Sequence, residues 1–309
     1  MNNPAISAIV VIPDRCDTVR ETLNALKAQT IASDMEVVFV IPQNAEFQFT
    51  AEELEVFNSW NVVKVEKIES IAGGFTAGIY AAKADIAALT EDHSFPDKQW
   101  AEVFVREHRD NSRAVVGPSM KNANPVNIIS WADFYMAYGP WCSPVKSGET
   151  NRIPGHNSSY KKKILLSMDA RFPELMNSES VLHRELMSKG YKLFISGDIC
   201  TSHQNFYRWL VFIAARYYAG RQFAGTWSQY WSAFKRLLYA AASPCIPVLR
   251  TMRTYQNVKR TRGIRFYIRI LPVVAAGFIV EGFGNFIGFL FGTGDAALKI
   301  AEYEFHRMK

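Results

Sequence analysis

The chain has 309 residues, 49% of them hydrophobic and 21% charged, and its 35 Lys and Arg against 29 Asp and Glu give a formal net charge of +6. That composition is globular, at the apolar end, and the length suits one large α/β domain with an appendage or two modest domains. The charge excess is too small to imply nucleic acid. The four cysteines, Cys16, Cys142, Cys200 and Cys245, hold no Cys-x-x-Cys pair, which argues against a zinc module or a secreted disulfide framework and for a reducing compartment.

Met1 to Pro4 is short and polar, and the first apolar run lacks a basic leader and a small-residue cleavage site, so no signal peptide is expected. That run, residues 6–12, is largely β-branched and ends at Pro13, which reads as a strand buried on both faces of a parallel sheet. Thr18 and Glu21 stand at capping-box spacing, and Val19, Leu23 and Leu26 form a helical stripe. Residues 36–41 are a second buried strand, closed by Pro42, which completes a β-α-β unit. A third strand is expected over 61–66, a helix opening at Gly73, Gly74 and Gly78 and running to Lys83, and a fourth strand over 85–90. A helix carrying Trp100, Val103 and Phe104 follows, then a strand over 114–117. The alternation predicts an open, mostly parallel α/β sheet flanked by helices.

Residues 122–152, rich in aromatics, Gly and Pro, show no clean period and read as an irregular functional segment. A helix over 179–189 closes at Gly190, a strand follows over 191–196, and residues 197–202 read as a loop. From Phe206 onward apolar helices are interrupted by a basic run, 250–269, that holds seven Lys and Arg and no acid. Residues 271–292 are then apolar apart from Glu281 and Asn285, and reach the roughly 20 residues of a spanning helix. Pro272, Glu281 and the glycines favour helices lying in or dipping into the membrane interface instead. The expected division is a catalytic domain over 1–225 and a basic, apolar, membrane-associated helical tail over 226–309. A basic run directly before an apolar segment is the arrangement of a cytoplasmic membrane face.

Glu91, Asp92 and His93 sit at the carboxyl end of a central strand, where open α/β sheets bind ligands. They suit a divalent cation that neutralises a diphosphate leaving group, or equally a solvated turn with Asp92 as a cap. His203, alone a packed or surface histidine, is a further metal or phosphate contact if it meets them. Glu179 is an ordinary carboxylate at a helix start, or a general base for an acceptor hydroxyl, with His183 on nearly the same face. Gly73 and Gly74 let backbone approach a phosphate, and residues 154–159 (Pro-Gly-His-Asn-Ser-Ser) are a polar turn or a substrate-contacting loop. Arg216 and Arg221 reach a phosphate or a lipid head group, or are solvated surface.

In order, these pieces resemble family 2 glycosyltransferases of the GT-A fold. The likeness rests on the opening strand ending in Pro13, on Ser70 to Lys83 leading into Leu89-Thr-Glu-Asp-His93, and on Trp100. It continues through Gly117-Pro-Ser, Asn122-Ala-Asn-Pro125, Ile129-Ser-Trp-Ala-Asp133, Tyr138-Gly-Pro-Trp141, residues 154–160, Glu179 with His183, and His203. It covers about residues 6 to 225 and is nearest to a bacterial subgroup with Glu-Asp-His, in which His93 stands where most relatives carry Asp.

The resemblance implies an inverting transfer of a sugar from a nucleotide-diphosphate donor to a lipid-linked or polysaccharide acceptor. The place of action would be the cytoplasmic face of the inner or plasma membrane. Glu91, Asp92, His93 and His203 would hold magnesium or manganese, and Glu179 would be the base. Pro13, Asp14, Ser70, Gly73 and Gly74 would bind the donor, and Gly155, His156, Asn157 and Trp141 would serve a donor or acceptor loop. Two other readings remain at this stage: a nucleotidyltransferase, and a catalytically inactive relative that binds a membrane or a partner.

Overall fold

Ile6–Val11 (β1) and Met35–Pro42 (β2) are buried along their whole length, as continuous apolar runs inside a parallel sheet must be. The computed structural model describes residues 3–13 and 19–305 of the chain. The predicted capping box at Thr18 lies outside the described residues; the helix Arg20–Lys27 begins without a side-chain cap. A capping box stands at Thr50 and Glu53 instead.

The sheet has nine strands. The others are Ser59–Val65 (β3), Ile86–Thr90 (β4), Ser94–Pro96 (β5), Arg113–Asn122 (β6), Gly148–Thr150 (β7), Ser159–Lys161 (β8) and Lys192–His203 (β9). Their order is β3-β2-β1-β4-β8-β6-β9-β5, with β7 also paired to β9. The half β3-β2-β1-β4 is parallel, and β8 joins β4 and β6 antiparallel. This is the open, mostly parallel α/β sheet that the alternation predicts. One core cluster packs Ile6, Val10, Phe39 and Ile41 of the sheet against Leu23, Leu26, Trp100 and Phe104 of the helices. Glu36 is buried inside β2, where its Oε2 accepts from the Ser7 hydroxyl at 2.5 Å and the Lys83 N–H at 2.7 Å.

Three local readings differ. The helix Ile71–Ala81 starts at Ser70, whose Oγ accepts from the Gly73 N–H at 3.1 Å. Its glycines serve mainly packing: a Cβ on Gly74 would overlap Val11, and one on Gly78 would overlap Ile9. The segment expected to be irregular contains the helix Ile128–Tyr138, capped by Asn127, whose Oδ1 accepts from the Ile129 and Ser130 N–H groups at 3.0 Å each. The expected loop 197–202 is strand, because β9 runs on to His203. Gly197 permits this by lying against the Val145 carbonyl with no room for a side chain.

The chain divides into two compact units, one of residues up to Lys121 with Ser143–His203, the other of Asn122–Cys142 with Gln204 onward. The second unit is helical: Ile128–Tyr138, Trp209–Trp227, Ala233–Ala242, Cys245–Thr261, Ile264–Phe291 and Ala296–Phe305. It begins earlier than residue 226 and takes back residues 122–142. The reason is tertiary: Trp209–Trp227 lies against Ile264–Phe291 through glycines. A Cβ on Gly220 would strike the Glu281 carbonyl, and one on Gly284 the Tyr217 carbonyl. Ile264–Phe291, with Pro272 inside it, is the one helix among the described residues long and apolar enough to cross a membrane, and half of its apolar window is buried within the protein.

Two buried histidines make the fold acid-labile. His108 lies between the Arg113 carbonyl (3.2 Å) and the Ser159 hydroxyl (2.9 Å), and His183 lies 3.1 Å from the Tyr160 hydroxyl. Burial lowers each to about 4 from the ordinary 6.5. Both are neutral in the fold, so as pH falls from 6.5 toward 4 the unfolded chain takes up protons that the folded one refuses. The folded state then loses on the order of 3 kcal/mol per histidine. His108→Gln should therefore flatten the fall of urea-measured stability over that window. An unchanged slope would mean that His108 titrates normally in the fold.

Candidate active site

The site forms where β4 and β9 end. Residues 91–93 leave β4, and β5 then pairs with β9 so that Ser94 faces His203 across the ladder. The Thr22 hydroxyl, fully buried, lies 2.9 Å from the Asp92 carbonyl and 3.0 Å from the Ser94 carbonyl, which fixes the turn. Glu91, His93 and His203, all buried, bring one ligand atom each within 4.8 Å of one another. His203 Nε2 lies 3.2 Å from Glu91 Oε2, and His93 Nε2 lies 4.0 Å from Glu91 Oε1. The two rings meet edge to face at 4.8 Å. Asp92 stands outside this trio. Its Oδ1 is 2.6 Å from His93 Nδ1, the contact that orients a ligating imidazole.

The trio fits a metal ion. His93 Nε2 is a buried polar atom with no hydrogen-bond partner among the described residues, as is Asn157 Oδ1 beside it in the same site. Two imidazoles and one carboxylate are donors for a divalent transition metal more than for magnesium. Burial alone would raise the Glu91 carboxyl, but His93, His156 and His203 outweigh it and hold the group well below the usual carboxylate range. The residues therefore present an anion ready for a cation.

A second carboxylate is joined to the first through the loop 154–159. Asn157 Nδ2 donates to Glu91 Oε2 at 2.9 Å. His156 spans the gap: its Nδ1 lies 3.5 Å from Glu91 Oε1 and its Nε2 lies 2.9 Å from Glu179 Oε1. Phe75 backs the imidazole at 5.6 Å. Desolvation pulls His156 down, but Glu179 and Glu91 outweigh it and raise it well above 6.5. For Glu179, burial raises the carboxyl and the His156 cation outweighs that, so the net shift is downward. Glu179 opens the helix Glu179–Ser188, and its carboxyl fills the space that a side chain on Gly155 would take. Glu91, His93, His156, Asn157, Glu179 and His203, scattered over 113 positions, thus converge on one site.

The remaining predicted residues lie around it or elsewhere. Ser70, Gly73 and Gly74 line a cleft of about 520 Å³, with Val65, Lys67, Glu69 and Thr76. Pro13 stands two residues past the end of β1, and Asp14 lies outside the described residues. Trp141 belongs to the second unit, in the turn Gly139–Trp141, 6.5 Å from the Tyr138 ring. Arg216 and Arg221 are also in that unit, and both are engaged. Arg216 pairs with Asp133 and lies 3.8 Å from Glu281, and Arg221 lies 3.6 Å from Asp295. Reading the sequence missed Thr22, Phe75 and the strand β5; a lone threonine and a three-residue strand carry no pattern to find.

The site is thus a buried carboxylate–imidazole trio at the carboxyl edge of an open α/β sheet. The chain belongs to glycosyl transferase family 2, whose sequence model matches residues 7–168. No curated protein matches it by sequence. Among solved structures it is similar to S. aureus TarS 1–349 in complex with UDP, at 19% identity and a TM-score of 0.47, over 65% of this chain and 60% of that one. It is also similar to the longer S. aureus TarS (18%, 0.45, over 68% and 38%) and to GalNAc-T7 with UDP, GalNAc and Mn2+ (13%, 0.47, over 67% and 44%). The chain thus spans between 38% and 60% of the length of these structures.

Proposed function

We propose that the protein is an inverting glycosyltransferase that moves a sugar from a nucleotide-diphosphate donor to a lipid-linked or saccharide acceptor hydroxyl. It would work at the cytoplasmic face of a membrane, held there by its helical unit. The observation that carries this reading is the chain Glu91–His156–Glu179, which sets a carboxylate base one imidazole away from a carboxylate–histidine cluster.

Glu91, His93 and His203 are the residues that would hold the metal, manganese in preference to magnesium. A divalent ion there supplies charge neutralisation to the departing diphosphate. Glu179, a carboxylate across the neutral range, takes the proton of the acceptor hydroxyl as that oxygen bonds to the anomeric carbon. The bond to the diphosphate oxygen breaks on the opposite side, so the configuration inverts. His156 positions Glu179 and must yield it to the acceptor, because a carboxylate paired to a cation is a poor base. The cleft beside Ser70 and Gly73 is where the donor's nucleotide would lie.

Nucleotide-diphosphate sugars screened by thermal shift with and without manganese test this reading. One donor should raise the melting temperature by about 5 °C or more at saturation, and only with the metal. A flat response to every donor, with no donor hydrolysis, would instead favour a catalytically inactive relative.

A further inference from the structure

In the helical unit, Ala233–Ala242 and Cys245–Thr261 leave apolar faces in solvent. Phe234, Leu237 and Leu238, spaced i, i+3 and i+4, are 78%, 59% and 58% exposed; Val248, Leu249 and Met252 are 61%, 53% and 62% exposed. Six large side chains on two consecutive short helices form a continuous sequence feature that no partner among the described residues covers.

The charge around them selects the partner. Between residues 204 and 294 stand twelve Lys and Arg and a single acid, Glu281, which is itself taken up by Arg250 and Arg216. Arg253, Arg265 and Arg269 are exposed. Lys235 lies 4.0 Å above the Trp231 ring, an aromatic and a cation together at the edge of the apolar face. Apolar side chains fringed by cations, with no free acid, match a lipid surface rich in anionic head groups.

The same unit argues against a span. Glu281 lies inside Ile264–Phe291, where it pairs with Arg250 and Arg216, and Arg216 pairs in turn with the buried Asp133. Crossing the bilayer would carry four charged groups toward hydrocarbon. The C-terminal end of that helix is also held from within the unit, since Arg236 donates to the Phe289 carbonyl at 2.7 Å and the Leu290 carbonyl at 3.3 Å. We propose that Ala233–Ala242 and the first half of Cys245–Thr261 form an anionic-lipid-binding face that seats the helical unit in one leaflet, with Ile264–Phe291, half-buried in the unit, lying along that leaflet and not crossing. This rests on the membrane-associated reading above for its choice of a lipid, and not on the transfer reaction.

The test uses the full chain and preformed vesicles of phosphatidylcholine, with or without about 30% phosphatidylglycerol. Flotation should recover about tenfold more protein, or better, on the anionic vesicles, and salt should reduce it. Leu237→Glu with Leu238→Glu should abolish flotation while circular dichroism keeps the native melting curve. Sidedness comes from Arg265→Cys and Leu298→Cys, each in a Cys245→Ser chain, labelled with a membrane-impermeant maleimide. Both should gain label over the Cys245→Ser chain. Protection of Leu298→Cys alone would show a crossing helix and overturn the proposal. Equal binding to both vesicle types, or self-association with no vesicle binding, would overturn it as well. No turnover is read, so failure here leaves the reaction open, and failure of the reaction leaves this face open.

Discussion

Glu179→Gln is expected to lower kcat for sugar transfer by about 10²- to 10⁴-fold, the range for removing a general base, with little change in donor KM. The fold should survive, because Gln keeps the size of the side chain and can still accept from His156 Nε2 across the 2.9 Å contact. A melting temperature close to wild type would separate lost chemistry from lost structure. Gly155→Ala tests the same carboxylate from the other side. Its methyl would enter the space that the Glu179 carboxyl occupies, so it should reproduce part of the loss while every ionisable group remains. Transfer at the wild-type rate in both variants would remove Glu179 from the reaction.

The second large effect belongs to the trio. Glu91→Gln keeps the shape of the side chain and its contact with Asn157, but removes the charge against which His93, His156 and His203 are set. Manganese affinity, read from the electron paramagnetic resonance of the free ion, should fall by about 100-fold or more, and transfer should fall with it. His203→Ala should act in the same direction. Asp92→Asn should cost less affinity, since Asp92 reaches the site through the His93 ring. If Glu91→Gln bound manganese as tightly as wild type, the metal reading of the cluster would fail.

Much of this was legible in the residues. The β-branched runs of β1 and β2 and their closing prolines fixed the central strands. The position of Glu91, Asp92 and His93 at a strand end marked the site. Glu179 and His203 each stood with two readings, and only the resemblance chose between them, because nothing local distinguishes a carboxylate at a helix start or a histidine near a strand. The turn with His156 was visible as a polar loop, but its bridging of two carboxylates is a tertiary fact.

What could not be read has physical causes. β5 is three residues long, and β9 passes through Gly197 and Asp198, a pair that punctuates strands unless another backbone comes close, as the Val145 carbonyl does here. Ile128–Tyr138 shows little apolar period because it is apolar around most of its circumference. The grouping of residues 122–142 with the helical unit was not legible, because the glycines of Trp209–Trp227 and Ile264–Phe291 disclose their purpose only when the helices meet. Glu281, an oddity in an apolar run, is explained by Arg250, which the sequence showed only as part of a basic stretch.

The central claim, one site built from β4, β9, the 154–159 loop and the Glu179 helix, is tested most directly by crystals grown with manganese and a nucleoside diphosphate. An anomalous peak among Glu91, His93 and His203, with the diphosphate against it and the Glu179 carboxylate facing the same cleft, is the predicted result. A manganese peak elsewhere, or a nucleotide bound away from this strand edge, would contradict it.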